Sequence, residues 1–195
     1  MTAPPVNPNL ITAARLPLAP LAVALMVQDT TATMACAAVL ALALEITDLA
    51  DGWVARAYGA VTTFGKLFDP FSDAFCRFTL FLGMYAIGVA DLWMVMAIFY
   101  RDSSISFMRT VAAVRNVVVA ARPSGKLKAV AQGVGTQVIF IALLLSEGLP
   151  EQVWLTEVPW WTMLVITLVT IGSFFDYLIG NLPILQDAWS DRTSS

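Results

Sequence analysis

Apolar and polar positions fall in long blocks along this chain, not in residue-by-residue alternation. Six apolar segments stand at about residues 16 to 28, 32 to 50, 70 to 89, 91 to 112, 127 to 146 and 158 to 182, with short polar connections between them. Blocks of this length read as membrane-crossing helices, since the hydrocarbon core takes about 20 residues of helix. The first is short and borrows the residues before Leu16. The third is expected to start where Asp69 precedes Pro70, a capping acid followed by proline at the first helical position. Residues 53 to 68 form a polar, glycine-containing connection, partly helical and at the surface. The pattern predicts an all-α polytopic membrane protein. Six transmembrane helices occupy residues 16 to 185, an N-terminal interfacial segment residues 1 to 15, and a short polar, disordered tail residues 186 to 195.

Composition sharpens this. Of the 195 residues 58% are hydrophobic and 13% charged, too apolar for an ordinary soluble domain. Cys36 and Cys76 both lie in apolar segments and read as small core residues, which argues against a disulfide framework or a thiolate metal site. No internal repeat, low-complexity tract or cleavable leader is evident, and no nucleic-acid partner is expected. The formal net charge of −3 matters less than where the charges fall. With six spans and both ends on one side, Arg15, Arg56, Lys66, Arg77, Arg101, Arg109, Arg115, Arg122, Lys126, Lys128 and Arg192 fall on or just inside one face. The opposite connections carry Asp29, Asp91, Glu147, Glu151 and Glu157 and no basic residue. The basic face is therefore expected to be cytoplasmic, with both termini, in a bacterial inner membrane. Trp160 and Trp161 read as an aromatic belt on the other side.

Candidate chemistry is concentrated in residues 48 to 73, DLADGWVARAYGAVTTFGKLFDPFSD. Asp48 and Asp51 are three residues apart, Asp69 and Asp73 four, so each pair shares one face of its helix. An unpaired charge in a membrane helix costs about 2.5 to 3.5 kcal/mol, so four carboxylates require a counter-charge. With oxygen donors in the cluster and no histidine in the chain, Mg²⁺ or Mn²⁺ suits them better than Zn²⁺. Gly52 and Gly65 permit close approach to the backbone, and Arg56 is a planar fork suited to phosphate oxygens. A metal site beside an arginine and glycines suggests a phosphorylated ligand.

This spacing resembles that of the CDP-alcohol phosphotransferase family. Asp48, Asp51, Gly52, Ala55, Arg56, Gly65, Asp69 and Asp73 fill its signature without a gap. The resemblance implies that Asp48, Asp51, Asp69 and Asp73 hold one or two divalent ions against the pyrophosphate of CDP-diacylglycerol. It implies further that Gly52, Ala55, Arg56 and Gly65 line the nucleotide site, and that Asp73 takes the proton from the acceptor hydroxyl. A homodimer among membrane lipids is also implied, though no interface signature marks its face.

A second region, YRDSSISFMRTVAAVRNVVVAARPSGKLKAVAQ, is similar to the corresponding stretch of phosphatidylglycerophosphate synthases within the family. There Arg101, Arg109, Lys126 and Lys128 are candidates to bind the acceptor phosphate, with Arg101 and Lys126 foremost; ordinary positive-inside anchoring accounts for any one of them equally well. The segment PNLITAAR followed by Pro20 carries the same resemblance, making Arg15 a candidate substrate-headgroup contact or an interfacial snorkelling arginine. Three departures bear on the acceptor. Tyr100 stands where glycine is usual, Asp102 where glutamate is frequent, and Ala74 where a lysine usually follows the last aspartate, a charge that Arg77 one turn on could supply. The expected activity is phosphatidyl transfer from CDP-diacylglycerol to a small phosphorylated alcohol, glycerol 3-phosphate being favoured over inositol phosphate, serine or another phosphatidyl lipid. A metal or ion transporter using the acidic cluster, and a non-catalytic lipid-binding homologue, are the rivals. Asp176, at the inner end of the last segment, is left outside the site as an acid that pairs with a neighbouring arginine or reaches water.

Overall fold

The computed structural model describes residues 8–57, 63–114, 122–149 and 151–190; within these, the side chains at 8, 9, 11, 49–57, 63, 64, 66, 67, 113, 114, 183–185 and 187–190 lie outside the description. The described residues form six helices: α1 (Pro8–Met26), α2 (Thr31–Ala57), α3 (Thr63–Ala86), α4 (Leu92–Val114), α5 (Pro123–Gly148) and α6 (Trp154–Ser190). Each expected apolar segment corresponds to one of them. Three contain stretches long and apolar enough to cross a membrane, Thr31–Asp48, Pro123–Gly148 and Trp154–Leu182, while α1 has a shorter apolar run, Thr12–Met26. Charged side chains interrupt α3 at Asp69, Asp73 and Arg77, and α4 at Arg101, Asp102 and Arg109.

Local chemistry sets several boundaries. Thr30 caps α2, its Oγ1 accepting the Thr33 N–H at 3.2 Å, after Asp29 has turned the chain at φ 53°. Gly88 ends α3 at φ 77°, where Val89 N–H reaches back to the Met84 carbonyl at 2.9 Å, a closure that favours a residue without Cβ. Pro123 occupies the first turn of α5, where its missing N–H leaves no helical bond unmade.

Two boundaries differ from expectation. Helix α3 begins at Thr63 and Pro70 lies inside it, so Asp69 is not a cap. The helix extends upstream because residues 63 to 69 continue its periodicity past a proline that the helix accommodates. Helix α6 runs on to Ser190, into the stretch expected as a disordered tail. At the other end α1 starts at Pro8, which makes the later residues of the expected interfacial segment continuous with the first helix.

Helix α1 packs on α2 and α3, α2 on α5, α5 on α6, α4 on α6, and α3 on α4. Ala19 and Ala22 of α1 and Ala37 and Ala41 of α2 are fully buried, letting the backbones approach closely. Gly135 does the same between α5 and α6, since a Cβ there would lie 2.5 Å from Ile166 Cδ1. Phe81, Phe140, Met84, Met94 and Met163 fill the main core. A smaller core, built from Ile105, Met108 and Tyr177, joins α4 to α6 toward the basic end. Outward positions are also apolar, as at Val39, Leu42, Val134, Ile141, Val165 and Leu168, which suits lipid and not water. Cys76 is buried as expected, but Cys36 is exposed on this outward side of α2 and is not a core residue.

Candidate active site

One group of polar side chains gathers between α1, the later part of α2 and the first half of α3. On α3, Asp69, Asp73 and Arg77 follow at i, i+4 and i+8 and so form one stripe. The stripe faces α1 and α2. Ser72 and Cys76 lie beside it and hydrogen-bond α1, Ser72 Oγ donating to the Thr12 carbonyl at 3.2 Å and Cys76 Sγ to the Arg15 carbonyl at 3.5 Å. These contacts fix the backbone from which Arg15 reaches into the cluster.

Arg15 is not a snorkelling surface arginine; its side chain is 3% exposed. Nη1 donates to Asp48 Oδ1 at 2.9 Å and lies 4.0 Å from Asp69 Oδ1, and Nη2 is 3.5 Å from Asp73 Oδ1. Three signature carboxylates from two helices thus face one positive centre. A second arginine closes the group from below: Arg77 Nε donates to Asp73 Oδ1 at 2.9 Å and Nη2 to Glu45 Oε2 at 3.0 Å. Glu45 sits one turn before Asp48 on the same face of α2.

The acids fit a hard divalent cation in kind, because all their donors are oxygens, while in this arrangement the Arg15 guanidinium takes up the position on which they converge. Among the described residues, no group of three or more Asp, Glu, Cys or His side chains is arranged to hold a metal ion. Asp51, the fourth expected ligand, has its side chain outside the described set, as do Gly52, Ala55 and Arg56. The backbone at 51, 52, 55 and 56 is helical, in the last turns of α2. Gly65 lies in the first turn of α3.

A basic cluster forms where α4, α5 and α6 meet. Lys128 Nζ donates to Asp102 Oδ2 at 2.9 Å, Arg101 Nη1 to Asp102 Oδ1 at 2.8 Å, and Arg101 Nε to Ser173 Oγ at 3.1 Å. Two of the four expected phosphate-binding residues are therefore brought together. Arg109 stands apart, its Nε donating to the Tyr177 hydroxyl at 3.3 Å and its guanidinium 5.8 Å from the Tyr177 ring centre. Lys126 is exposed on α5, on a different side from the buried Lys128. Asp176 pairs with an arginine, one of its two expected fates: Arg122 Nε and Nη2 bind it at 2.8 and 2.6 Å, and Ser124 Oγ also donates to it.

Sequence reasoning missed Glu45, Ser173 and Tyr177. Glu45 carried a usable signal, an acid inside an apolar helix three residues before Asp48. Ser173 and Tyr177 carried none, because hydroxyls on an apolar helix are common.

Acids bridged by buried arginines thus gather at one end of an apolar helical bundle, where charges are costly unless they pair with one another. The CDP-alcohol phosphatidyltransferase family model matches residues 5–172, and the chain belongs to that family. It is thus a membrane protein and a transferase. Among curated relatives it is 31% identical over 185 residues to the CDP-diacylglycerol–glycerol-3-phosphate 3-phosphatidyltransferase of Bacillus subtilis, covering 86% of this chain and 92% of that one. It is 31% identical over 151 residues to the protein of the same name from Treponema pallidum, covering 75% and 70%. A probable phosphatidylglycerophosphate synthase of Mycobacterium tuberculosis is 33% identical over 98 residues, half of this chain and 46% of that one.

Proposed function

We propose that the chain moves a phosphatidyl group from CDP-diacylglycerol to glycerol 3-phosphate, giving phosphatidylglycerophosphate and CMP. The observation that carries this reading is the convergence of Asp48, Asp69 and Asp73 on one cationic position, within a signature that the family match covers. The substrate names of the Bacillus and Treponema relatives support the acceptor.

In this reading Asp48, Asp51, Asp69 and Asp73 hold Mg²⁺ or Mn²⁺, which when bound neutralises charge on the pyrophosphate and on departing CMP. Gly52, Ala55, Arg56 and Gly65 hold the nucleotide. Asp73 accepts the proton of the acceptor hydroxyl as its oxygen bonds to the phosphorus bearing the diacylglycerol; the bond from that phosphorus to the CMP oxygen breaks and CMP leaves. Arg101 and Lys128 draw the acceptor phosphate toward the site, with Arg109 along the approach and Lys126, exposed on another side of α5, outside it. The catalytic domain is residues 16 to 185, crossing the inner membrane six times with both termini cytoplasmic, and it works as a homodimer.

The test is CMP release by purified protein from CDP-diacylglycerol with Mg²⁺ or Mn²⁺, offering glycerol 3-phosphate, inositol 1-phosphate and serine in parallel. Release with glycerol 3-phosphate, lost on chelation and in Asp73→Asn, is the expected result. Release with another acceptor would keep the chemistry and move the specificity, a second reading favoured by Tyr100, Asp102 and Ala74. No release with any of them would sink the proposal.

A further inference from the structure

The proposed chemistry uses Asp73 but leaves Glu45 and Arg77, both drawn into the same cluster, without a task. The Arg77 side chain is 7% exposed and its guanidinium is committed on two edges. On one, Nη2 donates to Glu45 Oε2 at 3.0 Å and Nη1 lies 3.0 Å from Glu45 Oε1 as a close charge contact without a hydrogen bond, so one charge-assisted bond and one ion contact hold this edge of the fork. The remaining donor, Nε, then meets Asp73 Oδ1 at 2.9 Å. Arg15 Nη2 approaches the same oxygen at 3.5 Å, so among the described residues the closest approach of each cation to Asp73 is at Oδ1.

Glu45 is itself confined. A Cβ at Gly133 of α5 would stand 2.9 Å from Glu45 Oε2, so the carboxylate lies against a stretch of helix that has no side chain there. The sequence of supports runs from α5 through Glu45 and Arg77 to Asp73. An i,i+4 pair such as Asp73 with Arg77 forms on a helix without help; the half-buried Glu45 carboxylate that holds the other edge of the guanidinium is the additional feature.

We propose that Arg77, held in plane by Glu45, is a positioning residue that fixes the Asp73 carboxylate so that Oδ2 is the oxygen presented to the acceptor hydroxyl. This rests on the reading of Asp73 as the base. The pair acts through Asp73 and touches neither substrate.

The experiment compares steady-state kinetics and melting temperature in the full chain for wild type, Asp73→Asn, Glu45→Gln and the double variant Glu45→Leu/Arg77→Met. Arg77→Met alone strands the half-buried Glu45 carboxylate, whereas the double variant removes that pair together and leaves Asp73 with Arg15 as its remaining cation, an exchange of the kind that ion pairs away from water often tolerate. The expected double variant melts near wild type, keeps KM for both substrates within about 3-fold, and loses kcat by about 100-fold, the scale of a 1 Å misplacement. Arg77→Lys in the Glu45 background recovers part of that loss. Glu45→Gln, which keeps size and a hydrogen bond, lowers kcat by about 10-fold and decides the matter if the double variant does not fold. A folded double variant or Glu45→Gln with wild-type kcat overturns the proposal, as does a raised KM with unchanged kcat, the mark of direct substrate binding. If transfer is lost in Asp73→Asn but intact in these variants, only the positioning role fails. If wild type transfers nothing, the functional reading falls with it.

Discussion

Lys128 Nζ stands 2.9 Å from Asp102 Oδ2 while Arg101 Nη1 takes the other oxygen of that carboxylate at 2.8 Å. One acid thereby holds a cation from α4 and a cation from α5 side by side against their mutual repulsion. Lys128 is 7% exposed, so its charge is directed inward, whereas Lys126 is exposed. If this pair draws in the acceptor phosphate, Lys128→Gln removes a charge-assisted hydrogen bond worth about 1.5 to 3 kcal/mol and raises KM for glycerol 3-phosphate by about 10- to 100-fold. Lys126→Gln leaves that KM within about 2-fold, as expected for a solvated surface charge. Initial rates at varied acceptor and saturating CDP-diacylglycerol measure both. Equal effects would remove the distinction drawn between the two lysines.

Asp73→Asn keeps the shape of the side chain and a hydrogen-bonding oxygen for Arg77, but takes away the proton acceptor. Transfer should fall by about 10²- to 10⁴-fold, the usual contribution of a general base. Binding of CDP-diacylglycerol, followed by calorimetry in detergent, should change far less than the rate. A variant that loses binding and rate together would place Asp73 in holding the donor instead.

The Gly133 backbone leaves room for the Glu45 carboxylate, and Gly133→Ala tests that space without altering any charged group. The added Cβ would lie 2.9 Å from Oε2, too close, so the carboxylate must turn away. Because the atom displaced is the far end of a side chain, the fold should survive. Glu45 would then release Arg77 in part, and kcat should drop by less than in the Glu45→Gln variant. Gly133→Val should lose more. Melting temperatures beside kcat separate the two effects, and an unchanged kcat in both variants would show that Glu45 has another way to pair.

Much of this arrangement was legible in the sequence, and what was not has a common cause. Six apolar blocks gave six helices because block length is a property of contiguous residues. The Asp69 to Asp73 spacing likewise put both acids on one helical face. The start of α3 was misplaced because an aspartate before a proline is a strong local signal for a helix start, whereas Thr63 to Phe68 offers no competing signal of its own. Pairings between helices were harder. Arg15 looks interfacial until α3 is laid against α1, and Glu45 has no evident partner until Arg77 arrives from α3. Cys36 and Cys76 read alike along the chain, yet one faces outward and the other α1, a difference set by helix rotation within the bundle. In a membrane bundle both faces of a helix are apolar, so periodicity says less about which one is buried.

The far end of α6 provides an independent check on the basic cluster. Arg122, the residue before α5, lies across α6 where a side chain on Gly180 would otherwise stand, and its guanidinium grips Asp176 one turn earlier through Nε and Nη2. Ser124 donates to the same carboxylate, so the start of α5 is tied to α6 at several points. This clasp sets the direction in which α5 starts, and hence where Lys128 sits. Gly180→Ala places a methyl group in the guanidinium's path and should break the clasp as fully as Asp176→Asn does. Either variant should lower the melting temperature by about 2–4 °C, the effect of a small loss in a chain of this size. The combined variant should fall no further than the worse single one, because both remove the same contact. Glycerol 3-phosphate KM should rise in all three while KM for CDP-diacylglycerol holds. Additive losses in the combined variant would mean that Gly180 is required for close helix packing and not for seating Arg122.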